Sequence, residues 1–221
     1  MKVMVFGGTG MLGQGVLREC FNAADVSQVL SVGRSPLGLS HARLRELQVP
    51  DASKLALHEA SLSGYDACFF CLGVSSSGMS EADYHKITYD YTLTVARLLA
   101  RLNPQMTFIY VSGAGTDSTE KGRVMWARVK GATENALLAL PFKGAYMLRP
   151  GIIQPLHGAT SKTKSYRIFY TLARPVLPVL RKLLPGQVST TEQIGKVMLA
   201  LARQGNAHTV LESSEINRMP V

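Results

Sequence analysis

Glycines at positions 7, 10 and 13 follow a short apolar stretch, Val3-Met-Val-Phe6, and lead into a segment whose apolar residues Met11, Leu12, Val16, Leu17, Cys20 and Phe21 recur at helical spacing. A glycine loop between a strand and a helix can hold a phosphate, because backbone N–H groups point outward at the helix start and the helix dipole favours negative charge there. At this spacing Gly7 serves the tight turn, Gly10 the close approach of backbone to a pyrophosphate, and Gly13 the packing of helix on sheet. No Gly-Lys-Ser/Thr follows, which disfavours a Walker-type site, and a second strand over Val29–Val32 completes a βαβ unit of the length a dinucleotide needs.

The elements that must position this loop alternate along the whole chain. Strands are expected at Lys2–Phe6, Val29–Val32, Leu47–Val49, Ala67–Leu72, Thr107–Val111, Ala145–Leu148 and Thr209–Leu211. Helices are expected near 11–22, 40–46, 52–60, 81–102, 123–140, 165–183 and 190–204. That alternation predicts an α/β fold: a Rossmann-like, doubly wound, mostly parallel sheet with helices on both faces. Asn103-Pro104 should end the long helix, Thr190-Thr-Glu-Gln offers oxygens to start the last one, and Gly205 should stop it. Three polar or glycine-rich stretches fall at strand ends: Leu72-Gly-Val-Ser-Ser-Ser-Gly78, Ser112-Gly-Ala-Gly-Thr-Asp117 and Arg149-Pro-Gly151. Ligands of open α/β sheets bind at that edge, so these loops are expected to outline a cleft with the first one.

At 221 residues and 46% hydrophobic content the chain is read as a single domain, with 150–188 as a small basic and apolar substrate-side segment. No run of 18 apolar residues occurs, and the glycine loop begins too early for a signal peptide. With three sparse cysteines, Cys20, Cys68 and Cys71, the sequence predicts a soluble cytoplasmic protein without disulfides. Cys68-Phe-Phe-Cys71 looks like a redox motif, but its cysteines would point to opposite faces of a strand and read as core residues. The five histidines show no ligand spacing, so no metal site is expected. The net charge of +9 is local: no Asp or Glu occurs from Asn135 to Thr191, while eight Lys and Arg do. The basic residues are not interleaved with aromatics as in a nucleic-acid site, and no nucleic-acid partner is expected.

In this order, these landmarks resemble the short-chain dehydrogenase/reductase superfamily, in its atypical branch with Gly-x-x-Gly-x-x-Gly. Cys71-Leu-Gly73, Ile87-Thr-Tyr-Asp-Tyr91, Val129-Lys-Gly131 with Glu134, and Leu148-Arg-Pro-Gly151 are similar to the Tat-interacting-protein-like oxidoreductases. The resemblance implies an epimerase-like Rossmann fold and a nicotinamide cofactor. It puts Gly7, Thr9, Gly10, Met11 and Leu12 on the pyrophosphate, and Leu72, Gly73 and Val74 along the ribose side. It also puts Pro150 and Gly151 at the cofactor, where the family's substrate-binding segment begins. Asp51 would sit near the adenine, or be a turn residue after Pro50. An NAD site usually carries an acid about 20 residues past the glycines. Here none occurs from Val26 through Arg45, while Arg34 offers a planar fork and Ser35 a hydroxyl to a 2′-phosphate. NADP(H) is therefore the expected cofactor.

The resemblance also implies hydride transfer assisted by Ser, Tyr and Lys, with the Tyr four residues before the Lys. Lys130 and Ser112 match as catalytic residues, but position 126 is Trp, and an indole N–H is no acid or base near neutral pH. Lys130 can still hold the nicotinamide ribose. Three readings stay open. Another donor among Thr116, Asp117, Tyr84, Tyr89 and Tyr91 replaces the tyrosine; or the chain is a catalytically degenerate NADP(H)-binding regulatory or interaction module; or Trp126 walls an apolar substrate. The expected function is an oxidoreductase acting on a carbonyl or alcohol of a small molecule. For the basic stretch 162–185 three readings also stand: a substrate lid, a weak contact with anionic membrane or protein, and a core helix pair broken at Pro175 and Pro178 with snorkelling cations.

Overall fold

The computed structural model describes residues 1–160 and 176–221. Its elements are β1 Lys2–Phe6, α1 Met11–Asn22, β2 Gln28–Gly33, β3 Leu44–Gln48, a 3-10 turn Ala52–His58 running into α2 Glu59–Leu62, and β4 Ala67–Phe70. There follow α3 Glu81–His85, a π turn Lys86–Asp90, α4 Tyr91–Leu102, β5 Thr107–Val111, α5 Met125–Leu138, β6 Gly144–Arg149 and β7 Ile152–Gln154. The chain closes with α6 Leu177–Leu183, β8 Val188–Thr190, α7 Thr191–Gln204, β9 Val210–Glu212 and α8 Ser213–Arg218.

Seven strands form one parallel sheet in the order β3-β2-β1-β4-β5-β6-β9, and β7 pairs with β8 beside it. The order reverses between β1 and β4, the point where a crevice opens beyond the carboxyl ends of the strands. Because side chains alternate across a strand, Val3 and Val5 enter one core with Val16, Val197 and Met198, whereas Met4 and Phe6 enter the other with Leu93, Leu99 and Leu137. Strands buried on both faces account for the near-continuous apolar runs of β1 and β4. Phe6, Phe70 and Phe108 line up across β1, β4 and β5 with ring centroids 5.3 and 5.8 Å apart, cross-strand contacts worth about 0.5–1.5 kcal/mol each.

On one face α1 and α7 lie close enough that a Cβ at Gly15 would sit 2.6 Å from Thr191 Cβ, and one at Gly195 2.8 Å from Glu19 Cγ. Thr190 Oγ1 accepts from Gln193 N at 2.9 Å and starts α7, and Gly205 ends it at φ +69°, as the sequence predicts. The long helix ends at Leu102 before Asn103, also as expected, although the π turn divides it.

The helix expected at 40–46 is not formed. Those residues run into β3, whose Leu44 pairs with Val29, so the strand lies three residues earlier than expected. Arg43 reaches back to the end of α1, donating to the carbonyls of Ala23 and Val26 at 2.7 and 2.5 Å and to that of Phe21, and His41 stacks on Phe21. These tertiary contacts override the helix propensity of Leu-Arg-Glu-Leu. The short strands β7 and β8 and the helix α8 carry too few residues to show a period. Of the helix expected at 165–183, residues 161–175 lie outside the described residues. Its last part is α6, which exposes Val179 and Leu183 beside Arg181 and Lys182. Among the described residues no helix is long and apolar enough to cross a membrane, and no group of side chains could hold a metal ion.

Candidate active site

The glycine loop is built from backbone contacts. Gly7 turns at φ +80°, and a Cβ there would lie 2.7 Å from Leu72 N, so the loop rests on the end of β4. Gly10 N donates to Gly7 O at 2.9 Å and Gly10 caps α1 with no side-chain hydrogen bond, which leaves the N–H groups of the first turn facing the crevice. A Cβ at Gly13 would stand 2.2 Å from Gly7 O. Gly13 therefore seats the helix on its own loop, rather than on the sheet as the spacing suggested. One contact had no sequence signal: Gln14 Nε2 donates to the carbonyls of Thr9 and Thr160, and Gln14 Oε1 accepts from Thr160 N, all at 3.1 Å.

Arg34 and Ser35 are exposed just beyond β2. Arg34 lies beside Tyr91, whose phenol burial pushes up while the guanidinium pulls down and Asp51 pushes up. Asp51 Oδ1 accepts from Ser53 N at 2.9 Å and caps the 3-10 turn, the turn role after Pro50. Leu72, Gly73 and Val74 follow β4, and a Cβ added at Gly73 or at Gly113 would meet nothing within 4 Å. The ends of β4 and β5 thus border open space. The other two loops are zipped together, with Ser112 N donating to Leu148 O at 2.7 Å and Ala114 N to Pro150 O at 2.9 Å. Gly151 continues that seam, since a Cβ there would lie 2.5 Å from Gln187 O. A polar hollow of about 430 Å³ on the amino-terminal side of the sheet, lined by Lys2, Gln28, Arg45 and Tyr65, is remote from this crevice.

On the other side of the crevice stands α5. Gly131 lets the loop after β5 lie on it, because a Cβ there would overlap Asp117 O at 1.8 Å. Half-buried Trp126 is set against Gly115, 3.6 Å from where a Cβ would be. One turn on, Lys130 Nζ donates to Val111 O at 3.4 Å and lies 5.2 Å from the centroid of the Tyr110 ring. The amine is therefore one peptide from Ser112. Burial lowers its pKa to about 8, against a smaller upward pull from Glu134.

Ser112 is buried, and its Oγ is 2.9 Å from Thr116 Oγ1, which donates to Gly113 O at 2.8 Å. Since Thr116 has one proton, Ser112 gives its own to Thr116 and faces the crevice as an acceptor. Asp117 accepts from Thr119 N, Thr119 Oγ1 and Gly122 N, and these bonds hold its carboxyl below the usual range. Tyr89 stacks on His85, and Tyr84 is buried next to Tyr110. Burial raises the pKa of all three thiols, so Cys68 and Cys71 are core residues and not a redox pair.

A buried ion pair fixes these parts. Arg149, at the end of β6, donates from Nε to both Glu134 oxygens at 3.1 and 3.2 Å and from a terminal nitrogen to the same carboxylate. It also reaches Ser118 Oγ in the loop after β5 and Glu212 Oε1, at 2.9 Å, at the end of β9. One side chain so joins α5, that loop, β6 and β9. Glu134 and Arg149 stand in recognisable motifs, but no spacing pairs residues 15 apart.

No protein-family model matches the chain. It is similar to protein FMP52, mitochondrial, of Eremothecium gossypii, 26% identical over 220 residues that cover 98% of this chain and 96% of that one. It is 30% identical to protein fmp52, mitochondrial, of Emericella nidulans over 159 residues, 69% of this chain and 66% of the other. It is 26% identical to protein HTATIP2 of Rattus norvegicus over 154 residues, 69% and 62% of the two chains. Among solved structures, Bordetella bronchiseptica WbmF in complex with NAD+ superposes with a TM-score of 0.68 at 18% identity, over 96% of this chain and 72% of that one. MoeE5 in complex with UDP-glucose and NAD gives 0.70 at 16% identity, over 96% and 75%. These two likenesses are of fold. The mitochondrial names of the fungal relatives overturn the cytoplasmic location expected from the sequence. Cysteine usage constrains the redox state of a compartment, not its address. The glycine loop at the switch point, Lys130 on α5 and the likeness to FMP52 and HTATIP2 proteins support an atypical short-chain dehydrogenase/reductase close to the HTATIP2 branch.

Proposed function

We propose that the protein is an NADP(H)-dependent oxidoreductase that interconverts a carbonyl and an alcohol on a small molecule. The observation that carries this reading is the pairing, across one crevice, of an α1 start without a side-chain cap and a half-buried amine whose pKa is lowered to about 8. The first suits a pyrophosphate and the second suits polar work at the other end of a dinucleotide. The N–H groups of Met11 and Leu12 would hold the pyrophosphate, with Gly7, Thr9 and Gly10 shaping the turn. Leu72, Gly73 and Val74 would lie along the ribose, Lys130 would hold the nicotinamide ribose, and Pro150 and Gly151 would close the site beyond it. The bound cofactor would supply or accept a hydride.

NADP(H) is preferred to NAD(H) because Arg34 makes no hydrogen bond to the described residues and the sequence carries no acid from Val26 through Arg45, where an NAD site usually has one. The WbmF and MoeE5 complexes hold NAD, which supports a nicotinamide dinucleotide here without choosing its form. Titration with NADPH and NADH by nicotinamide fluorescence, followed by turnover with aldehydes, ketones and alcohols, tests the reading. Tighter binding of NADH would refute the cofactor form, and absence of turnover would refute the activity. Trp126 favours a second reading, a regulatory module that binds NADP(H) and does no chemistry; tight binding without turnover is its signature.

A further inference from the structure

We propose that Lys130 itself gives and takes the proton at the substrate oxygen, in place of the tyrosine whose position Trp126 fills; this rests on the function proposed above. The other candidates are committed elsewhere. Thr116 spends its proton on Gly113 O and Ser112 spends its own on Thr116. Asp117 is held as a carboxylate by three donors from its own loop. Tyr91 stands beside Arg34 at the far end of the crevice, Tyr89 stacks on His85, and the Tyr84 side chain is fully buried beside Tyr110. The Trp126 indole cannot release a proton near neutral pH.

Lys130 has the required chemistry. Its ammonium carries three N–H bonds, of which one is directed to Val111 O. The two that remain can serve a ribose hydroxyl and a substrate oxygen together. Ser112, whose own proton goes to Thr116, leaves the alcohol hydrogen of the substrate to Lys130. Around the amine stand Glu134 on its own helix, Tyr110 on β5, Tyr84 on α3 beside Tyr110, and Arg149 on β6, which reaches it through Glu134. Burial outweighs Glu134, so the amine can change charge near neutral pH, as a useful acid and base must.

In the reduction, a dihydronicotinamide is the two-electron donor. Its hydride forms a C–H bond at the carbonyl carbon, and the C–O π bond opens onto oxygen. That oxygen takes a proton from Lys130 as the N–H bond breaks. The carbonyl is reduced to the alcohol, the dihydronicotinamide is oxidised, and the neutral amine recovers its proton from solvent. The oxidation runs in reverse, with Lys130 as base.

Two measurements decide the assignment. In protein labelled with 15N-lysine, the Nζ resonance lost in Lys130→Arg should titrate near pH 8; a midpoint above about 10, the ordinary lysine value, overturns the proposal. With NADPH and benzaldehyde or hexanal as probes, Lys130→Arg should bind NADPH within about threefold of the wild type, because arginine keeps the charge and the donors. It should lower reduction by about 100-fold or more, because arginine does not release a proton. Wild-type reduction should fall as pH rises through about 8, and alcohol oxidation should rise. Reduction that survives in Lys130→Arg removes the donor and leaves the oxidoreductase reading intact, whereas no reduction by the wild type removes both.

Discussion

Around the glycine loop the atoms that face the crevice belong to the backbone, and they are placed by contacts in which a single Cβ would collide. Along α5 they belong to side chains, each placed by another: Lys130 by Val111 and Tyr110, Ser112 by Thr116, and the loop after β5 by Arg149. A site made of backbone survives changes in side-chain chemistry and fails when volume is added. A site made of side chains behaves the other way round, so a tyrosine position can hold Trp126 while the cofactor end keeps its geometry.

The largest effect is expected where the side-chain half has its anchor. Arg149→Ala leaves the fully buried Glu134 carboxylate without its partner, and breaking a buried pair from one side costs about 3–5 kcal/mol. Thermal unfolding should shift down by about 10 °C in a chain of this size. Arg149→Ala combined with Glu134→Leu should recover much of that loss, because the orphaned charge is gone. A single mutant as stable as the wild type would show that the pair anchors nothing.

Gly13→Ala tests the backbone half. Its Cβ would stand 2.2 Å from Gly7 O, so loop or helix must move, at about 1–3 kcal/mol. NADPH affinity measured by fluorescence should fall by about tenfold or more, since about 1.4 kcal/mol is a factor of ten. Gly113→Ala, in the loop at the other end of the crevice, meets nothing within 4 Å and should leave the melting temperature where it is. Equal losses in the two variants would erase the distinction between the halves.

How much of this was legible follows the same division. Gly7, Gly10 and Gly13 could be read because a backbone turn needs particular residues at particular intervals, and most strands of the parallel sheet followed from apolar runs between helical periods. Residues 40–46 were misread because their local propensity is helical, whereas Arg43 and the edge of β2 decide otherwise. The Glu134–Arg149 pair, the hydroxyl relay of Ser112 and the Gln14–Thr160 link were not legible, since side chains far apart in sequence meet only in the fold. Lys130 could be located by motif, but its lowered pKa is a property of the cavity around it.

A smaller effect separates the cofactor forms at the backbone end. Arg34→Ala should weaken NADPH by about tenfold, the loss of one charged hydrogen-bond pair, and leave NADH unchanged. Equal changes for both would mean that the arginine serves general attraction and not the 2′-phosphate.

The smallest effect has the opposite sign. Lys130 has a folded pKa lowered from 10.5 to about 8, so between these values the unfolded chain holds a proton that the native chain has released. Stability must therefore rise as pH climbs through that window, and below about pH 8 the native protein bears the full cost of an ammonium in a poorly solvated place. Lys130→Met keeps the length of the side chain and removes the charge. At pH 7 it should raise the melting temperature by about 2–4 °C, equivalent to about 1 kcal/mol, and it should remove the rise in stability between pH 8 and 10.5. A methionine variant less stable than the wild type at pH 7 would mean that the Val111 and Tyr110 contacts outweigh desolvation. The amine would then be part of the scaffold, and the contrast between a backbone half and a side-chain half would lose its functional edge.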